Sequence, residues 1–163
     1  GMSDPGAIIS LWWTGHIHAD TGAARALAAR LRRADRPSEV LAHAEVIALS
    51  RNLGLQDPVR LALIAQTVAA VKNTGSRLPR ALGREKGDRR VLSELRYQRL
   101  LRAEGADLGR ALRRALPLVE SSCNVSALGS DLLHWGEDVR ARWCFEYYRG
   151  NAPAGLIPET EAT

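Results

Sequence analysis

Residues 15–20 read Gly-His-Ile-His-Ala-Asp, which sets His16, His18 and Asp20 two positions apart. At a strand end that spacing aims three ligand side chains at one metal ion, the beginning of a metal-dependent hydrolase site. Such a site needs further ligands from other strands. Only two more histidines exist, His43 and His134, and nothing in the chain alternates strand with helix. A helical turn followed by an N-cap at Asp20 explains the pattern with fewer demands. No other catalytic arrangement stands out. The chain has no GxxxxGK[ST] phosphate loop and no Gly-x-Ser-x-Gly nucleophile elbow, and its carboxylates are scattered. The residues predict a protein that is not an enzyme and has no cofactor or metal, with a hydrolase using His16, His18 and Asp20 as the least favoured alternative.

The side chain that recurs is arginine. Of 23 basic residues 21 are arginine, against Lys72 and Lys86. A guanidinium is a planar fork that suits phosphate and stacks on bases. GC-rich coding also yields arginine and alanine, so placement is more informative than number. Between Lys72 and Arg114 stand 13 basic and 5 acidic residues, a net of +8 in a chain whose total is +5. A basic middle between slightly acidic flanks points to an anionic partner.

The densest part is residues 107–119, Asp-Leu-Gly-Arg-Ala-Leu-Arg-Arg-Ala-Leu-Pro-Leu-Val. With Arg110 at 0° and about 100° per residue, Arg113 falls near 300° and Arg114 near 40°. Leu108, Leu112, Ala115 and Leu116 fall opposite, between about 140° and 240°. Asp107 lies near 60° by the same step, a turn earlier. The geometry is compatible with a phosphate track and equally with an ordinary solvated helix face.

The elements that must position these side chains read as helices almost throughout. Length and a 45% hydrophobic, 25% charged balance fit one globular domain or two small subdomains. A short helix is expected near Pro5–His18, with Trp12 and Trp13 about 100° apart, one in the core and the other half exposed. Asp20 caps a helix over Thr21–Ala34, on which Arg25, Arg32 and Arg36 share a face. Ser38 caps a helix to about Asn52, with Val40, Leu41, Ala44, Ile47 and Ala48 as its buried stripe. Asp57 caps and Pro58 starts a very apolar, central helix to about Asn73. Residues 74–90, with Gly75, Pro79, Gly83 and Gly87, read as a mobile basic loop holding at most one helical turn; no Asn-Gly or Asp-Gly hairpin signal is present.

Val91–Ala103 is expected to be helical and apolar on two sides through Leu92, Leu95, Tyr97, Leu100 and Leu101. Asn124 or Ser126 caps a helix through Trp135. A last helix, about Glu137–Arg149, sets Val139, Trp143 and Tyr147 on one side. The fold class is all-α, a bundle of about seven to nine helices with N-terminal and C-terminal halves packed together. Residues 1–90 form the first half with the basic loop 74–90, residues 91–150 the second, and residues 151–163 a disordered tail. Cys123 and Cys144 do not make a disulfide framework and read as a buried and a half-buried thiol. No apolar run nears the ~18 residues of a membrane span, and the first residues lack a signal peptide's basic region, so a cytoplasmic protein without membrane contact is expected.

One ordered pattern runs through the second half: Ser93, Glu94, Leu95, Arg96, Tyr97, Arg99, Leu100 and Leu101, then Leu112 to Leu116. Asn124, Val125 and Leu128 follow, and Trp135, Trp143, Tyr147 and Tyr148 end it. In this pattern, and over most of the chain from about Leu11 to Tyr148, the sequence resembles the CasB family, the small subunit of the type I-E CRISPR surveillance complex, Cascade. Upstream, Trp12-Trp13 and the helix after Asp20 are similar too. Cys144 stands where the family usually has alanine.

The resemblance implies an all-helical, non-catalytic subunit present as a head-to-tail pair. Its expected partners are a second copy of itself, other Cascade subunits, the crRNA and the target DNA. It would steady the hybrid and the R-loop through backbone contacts. On this reading Arg110, Arg113 and Arg114 are the core of the surface and Arg96, Arg99 and Arg102 extend it. Arg77, Arg80, Arg84, Arg89 and Arg90 grip as an arm, and Arg25, Arg32 and Arg36 form a second stripe. The alternative is a structural spacer that contacts mainly partner proteins.

Overall fold

The structure is a computed structural model and describes residues 4–149. The expected tail, residues 151–163, lies outside these residues. Asp4 accepts from the Gly6 amide and Pro5 opens the first helix, α1 (Pro5–His16). Thr21, not Asp20, caps α2 (Gly22–Arg33), because its hydroxyl accepts from the Ala24 amide; Asp20 pairs instead with Arg25 at 3.0 Å.

The helix expected over 38–52 is two. The first is α3 (Pro37–Leu41) and the second is α4 (Ala44–Leu53), ended by Gly54 in the left-handed region. The break at Ala42–His43 resets the helical phase. Val40, Val46 and Leu49 are therefore the buried residues, whereas Leu41, Ile47 and Ala48 are only half-buried and Ala44 is exposed.

Asp57 caps and Pro58 opens α5 (Pro58–Ala69) as expected. Leu61, Ile64, Ala65 and Val68 are almost fully buried. The helix is apolar on several sides and touches α2, α3 and two later helices, Gly105–Ala115 and Val125–Leu133, as such a helix must to bury all its faces.

Residues 74–90 are more ordered than the sequence predicts. They hold α6 (Leu78–Leu82) and an antiparallel hairpin, β1 (Glu85–Lys86) and β2 (Arg89–Arg90). Gly87 has φ +69°. A positive φ at the first of two turn residues is what a II′ hairpin turn needs, so Gly87-Asp88 is the hairpin signal here, in place of Asn-Gly or Asp-Gly.

Ser93 caps α7 (Glu94–Arg102), and α8 (Gly105–Ala115) runs into a 3-10 turn, Leu116–Val119. Tyr97 and Leu100 are buried but Leu95 is exposed, so α7 has one apolar face and not two. Asn124 caps α9 (Val125–Leu133), and α10 (Glu137–Arg149) follows.

One buried apolar cluster runs from Ile9 to Tyr147. α1 lies tightly along α9, where a Cβ on Gly6 would sit 2.7 Å from the Ser126 carbonyl oxygen and one on Gly129 2.7 Å from Ile9 Cγ2. Trp12 and Trp13 are both buried, because the indoles donate to carbonyls on different sides of α1, Glu45 at 2.8 Å and Val71 at 3.1 Å. Cys123 is buried and Cys144 half-buried, both as free thiols. No helix among the described residues is long and apolar enough to cross a membrane.

Candidate nucleic-acid interface

Two groups of arginines stand out by what their guanidiniums touch. One group holds the fold together by satisfying carbonyls that helix ends leave without partners. Arg32 donates to the Ala69 carbonyl at 3.2 Å, the end of α5. Arg60 reaches Leu132 at 2.8 Å and Leu133 at 3.2 Å, the end of α9. Arg140 donates to Leu101 at 2.8 Å near the end of α7 and to Glu104 at 3.0 Å.

Arg90 donates to the Gly83 carbonyl at 2.8 Å and lies over the rings of Tyr147 and Tyr148, 5.2 and 5.1 Å from their centroids. It ties the hairpin to α6 and α10. Arg142 bridges two buried carboxylates, Asp131 and Glu146. These bonds, above all that to Asp131, raise its pKa further above the ordinary arginine range.

The second group looks outward. Arg96 and Arg99, three apart on α7, and Arg114 on α8 are exposed. Among the described residues no carboxylate pairs with any of the three. Together they line a groove of about 370 Å³ between α7 and α8, over Leu92, Leu100, Ala111, Ala115 and Leu118. A second cleft, about 730 Å³, opens beside it between the hairpin and the start of α7, lined by Arg89, Arg90 and Arg96 and also by Glu85, Asp88 and Glu94. A third, about 370 Å³, contains Arg84 and Glu120. Leu118 lines all three, so the hairpin, α7 and α8 present one continuous surface around it.

The remaining candidates are spread around this surface or away from it. Arg110 is exposed and pairs with Asp107, the acid a turn earlier on α8. Arg113 is half-buried against Gly109; burial, then Arg110 and Arg114, lower its pKa below the ordinary arginine value. Arg102 turns back to the Gln98 carbonyl at 3.3 Å, and Arg84 donates to Ser76 at 3.0 Å. Arg77 pairs with Glu146 at 3.4 Å. Arg80 is half-buried on α6. In the second stripe Arg25 holds Asp20 and Arg32 holds α5, while Arg36 has left the helix: α2 ends at Arg33 and Arg36 is the residue before α3. The sequence could not make this division, because a helical angle does not say which carbonyl a long side chain reaches.

The histidine pattern does not converge. His18 stacks on Trp13 with centroids 4.4 Å apart and His16 tilts against Trp12 at 5.8 Å, on different sides of α1. Among the described residues no three His, Cys, Asp or Glu side chains are grouped to hold a metal.

Fold and surface together define a small all-α protein in which three exposed guanidiniums, Arg96, Arg99 and Arg114, line one groove. The pattern of the CRISPR-associated protein Cse2 family matches residues 27–148. A relative, CRISPR-associated protein Cse2 of Thermus thermophilus, is 38% identical over 81 residues, 48% of this chain and 47% of that protein. The match thus spans about half the relative's length. No solved structure matches. The chain belongs to the Cse2 family, the family called CasB above.

Proposed function

We propose that this protein is a non-catalytic small subunit of a CRISPR RNA-guided surveillance complex. In that complex it contacts nucleic-acid backbone without reading sequence and helps to hold the crRNA–target DNA hybrid and the R-loop. Its other partners are the remaining subunits and a second copy of itself. Family membership supports the place in the complex. The observation that carries the mechanism is the group of three carboxylate-free guanidiniums, Arg96, Arg99 and Arg114, around one groove.

Base pairing with a guide reads sequence, so a protein beside the hybrid needs only a surface that recognises backbone charge. Arginine does this by bidentate bonds to phosphate oxygens, and a guanidinium already engaged in an ion pair contributes less. Arg89, Arg84, Arg110 and Arg113 extend the field around the groove, and Arg90 shapes the hairpin that carries Arg89.

The test is R-loop formation by a complex assembled with Arg96→Ala/Arg99→Ala/Arg114→Ala. The triple variant is expected to assemble and to form shorter-lived R-loops. Its log–log salt slope should fall by about 2–3, close to one for each phosphate that no longer meets a guanidinium. A folded, assembled variant with full R-loop lifetime and an unchanged slope would overturn the mechanism.

A further inference from the structure

We infer that the groove between α7 and α8 seats one unstacked base of a single-stranded nucleic acid, with Arg96, Arg99 and Arg114 on the phosphates beside it. This rests on the reading that this face meets nucleic acid, and adds which form of it the groove takes.

The groove's volume, about 370 Å³, lies within the range of small-molecule sites, roughly 300–1,000 Å³. Its lining divides cleanly into three guanidiniums and an apolar floor that includes Leu100, Ala111, Ala115 and Leu118. Among the described residues no carboxylate lines it, whereas Glu85, Asp88 and Glu94 line the first neighbouring cleft and Glu120 the other. It is therefore the most favourable of the three clefts for an anion.

The floor narrows the choice of anion. It offers no donor to a lone phosphate or carboxylate. A duplex turns its bases inward and meets a protein surface with sugar and phosphate, which would leave the floor in water. A single-stranded nucleotide carries a flat apolar face and an anionic group one sugar apart. The groove has the complement of both, since bases pack on apolar side chains and on arginine planes. Leu118, 46% exposed at the mouth, is a large apolar side chain that such a base would cover.

The test uses the full chain and fluorescence anisotropy with oligothymidylate and a mixed-sequence duplex of the same length. Ala111→Leu fills the floor without changing charge. It is expected to weaken single-strand binding on the order of tenfold, the loss of one stacked base, while duplex binding and the salt slope stay as in wild type. Leu118→Ser removes the mouth of the floor and should give the same selective loss, so the inference does not depend on Ala111→Leu folding. Wild-type single-strand affinity in folded variants would overturn this inference and leave the backbone reading standing. Binding of neither nucleic acid by the wild-type chain would overturn both. A polyglutamate peptide that competes as strongly as oligothymidylate, and is itself weakened by Ala111→Leu, would assign the groove to acidic protein segments and overturn it as well.

Discussion

Tyr97 of α7 and Tyr147 of α10 stack face to face, with ring centroids 3.9 Å apart and planes 13° from parallel. Each hydroxyl is anchored across the same junction, Tyr97 to the Trp143 carbonyl at 2.8 Å and Tyr147 to the Leu92 carbonyl. Both rings are buried. This pair fixes α7 on α10 and so sets the direction in which Arg96 and Arg99 leave the surface.

Removing the ring should be costly. Tyr97→Ala is expected to lower stability by about 3–5 kcal/mol, as for other large-to-small aromatic changes in a core. Tyr97→Phe keeps the stack but leaves the Trp143 carbonyl without that donor, and should cost about 1–2 kcal/mol. Urea denaturation of the two variants checks the order; equal losses would mean that the stack contributes nothing beyond the hydroxyl.

Arg90 and Arg96 should behave oppositely. Arg90 has a carbonyl partner and two aromatic faces, while Arg96 is exposed and has no carboxylate partner among the described residues. Arg90→Ala is expected to destabilise by about 1–3 kcal/mol. Arg96→Ala should stay within about 0.5 kcal/mol of wild type and lose nucleic-acid affinity instead. Thermal unfolding and binding measured on the same preparations separate the two roles.

Two glycines make a further contrast. A Cβ on Gly83 would lie 1.8 Å from the Tyr147 carbonyl oxygen, so Gly83→Ala must push α6 from α10. The expected cost is about 3 kcal/mol or more, at the upper end for overpacking. On Gly15, near the end of α1, nothing among the described residues lies within 4 Å of the same point. Gly15→Ala should stabilise by about 0.5 kcal/mol, the low end of the gain for a helix interior because Gly15 is the last residue but one of α1. Melting temperatures that move in the same direction for both would contradict the packing described.

Alkaline pH should loosen the core. Burial pushes the Cys123 thiol and the Tyr147 hydroxyl each up to about 12, and raises Tyr97 well above the ordinary tyrosine range. All three are neutral in the fold, and their pKa values are higher folded than unfolded. The stability they contribute is therefore full below their unfolded values, about 8.5 for cysteine and 10 for tyrosine. It is lost as pH rises toward about 12. Melting temperature followed from neutral pH upward should fall from about pH 9 onward. Iodoacetamide should label Cys144, which is half-buried, before Cys123.

Much of the framework is readable in the order of residues because it is local. Asp57-Pro58 and Asn124 mark helix starts through bonds made within a few residues, and the period of Val139, Trp143 and Tyr147 shows the face that α10 buries. The buried stripe of α8 and the first residue of the turn after it, Leu108, Leu112, Ala115 and Leu116, follows from the same period. Local reading fails where a single residue resets the phase or fills a turn. The break at Ala42–His43 moves the buried face of α4, and Gly87 makes a hairpin of a segment with the composition of a loop.

The division of the arginines depends on contacts distant in sequence. Arg90, Arg96 and Arg114 are alike as letters in a basic segment. Arg90 is structural because α6 and α10 bring a carbonyl and two rings to it, and Arg96 and Arg114 share a groove because α7 and α8 fold side by side. Composition sets how much positive charge the chain carries. Which guanidiniums remain available to an anion is set by the long-range packing that satisfies the others first.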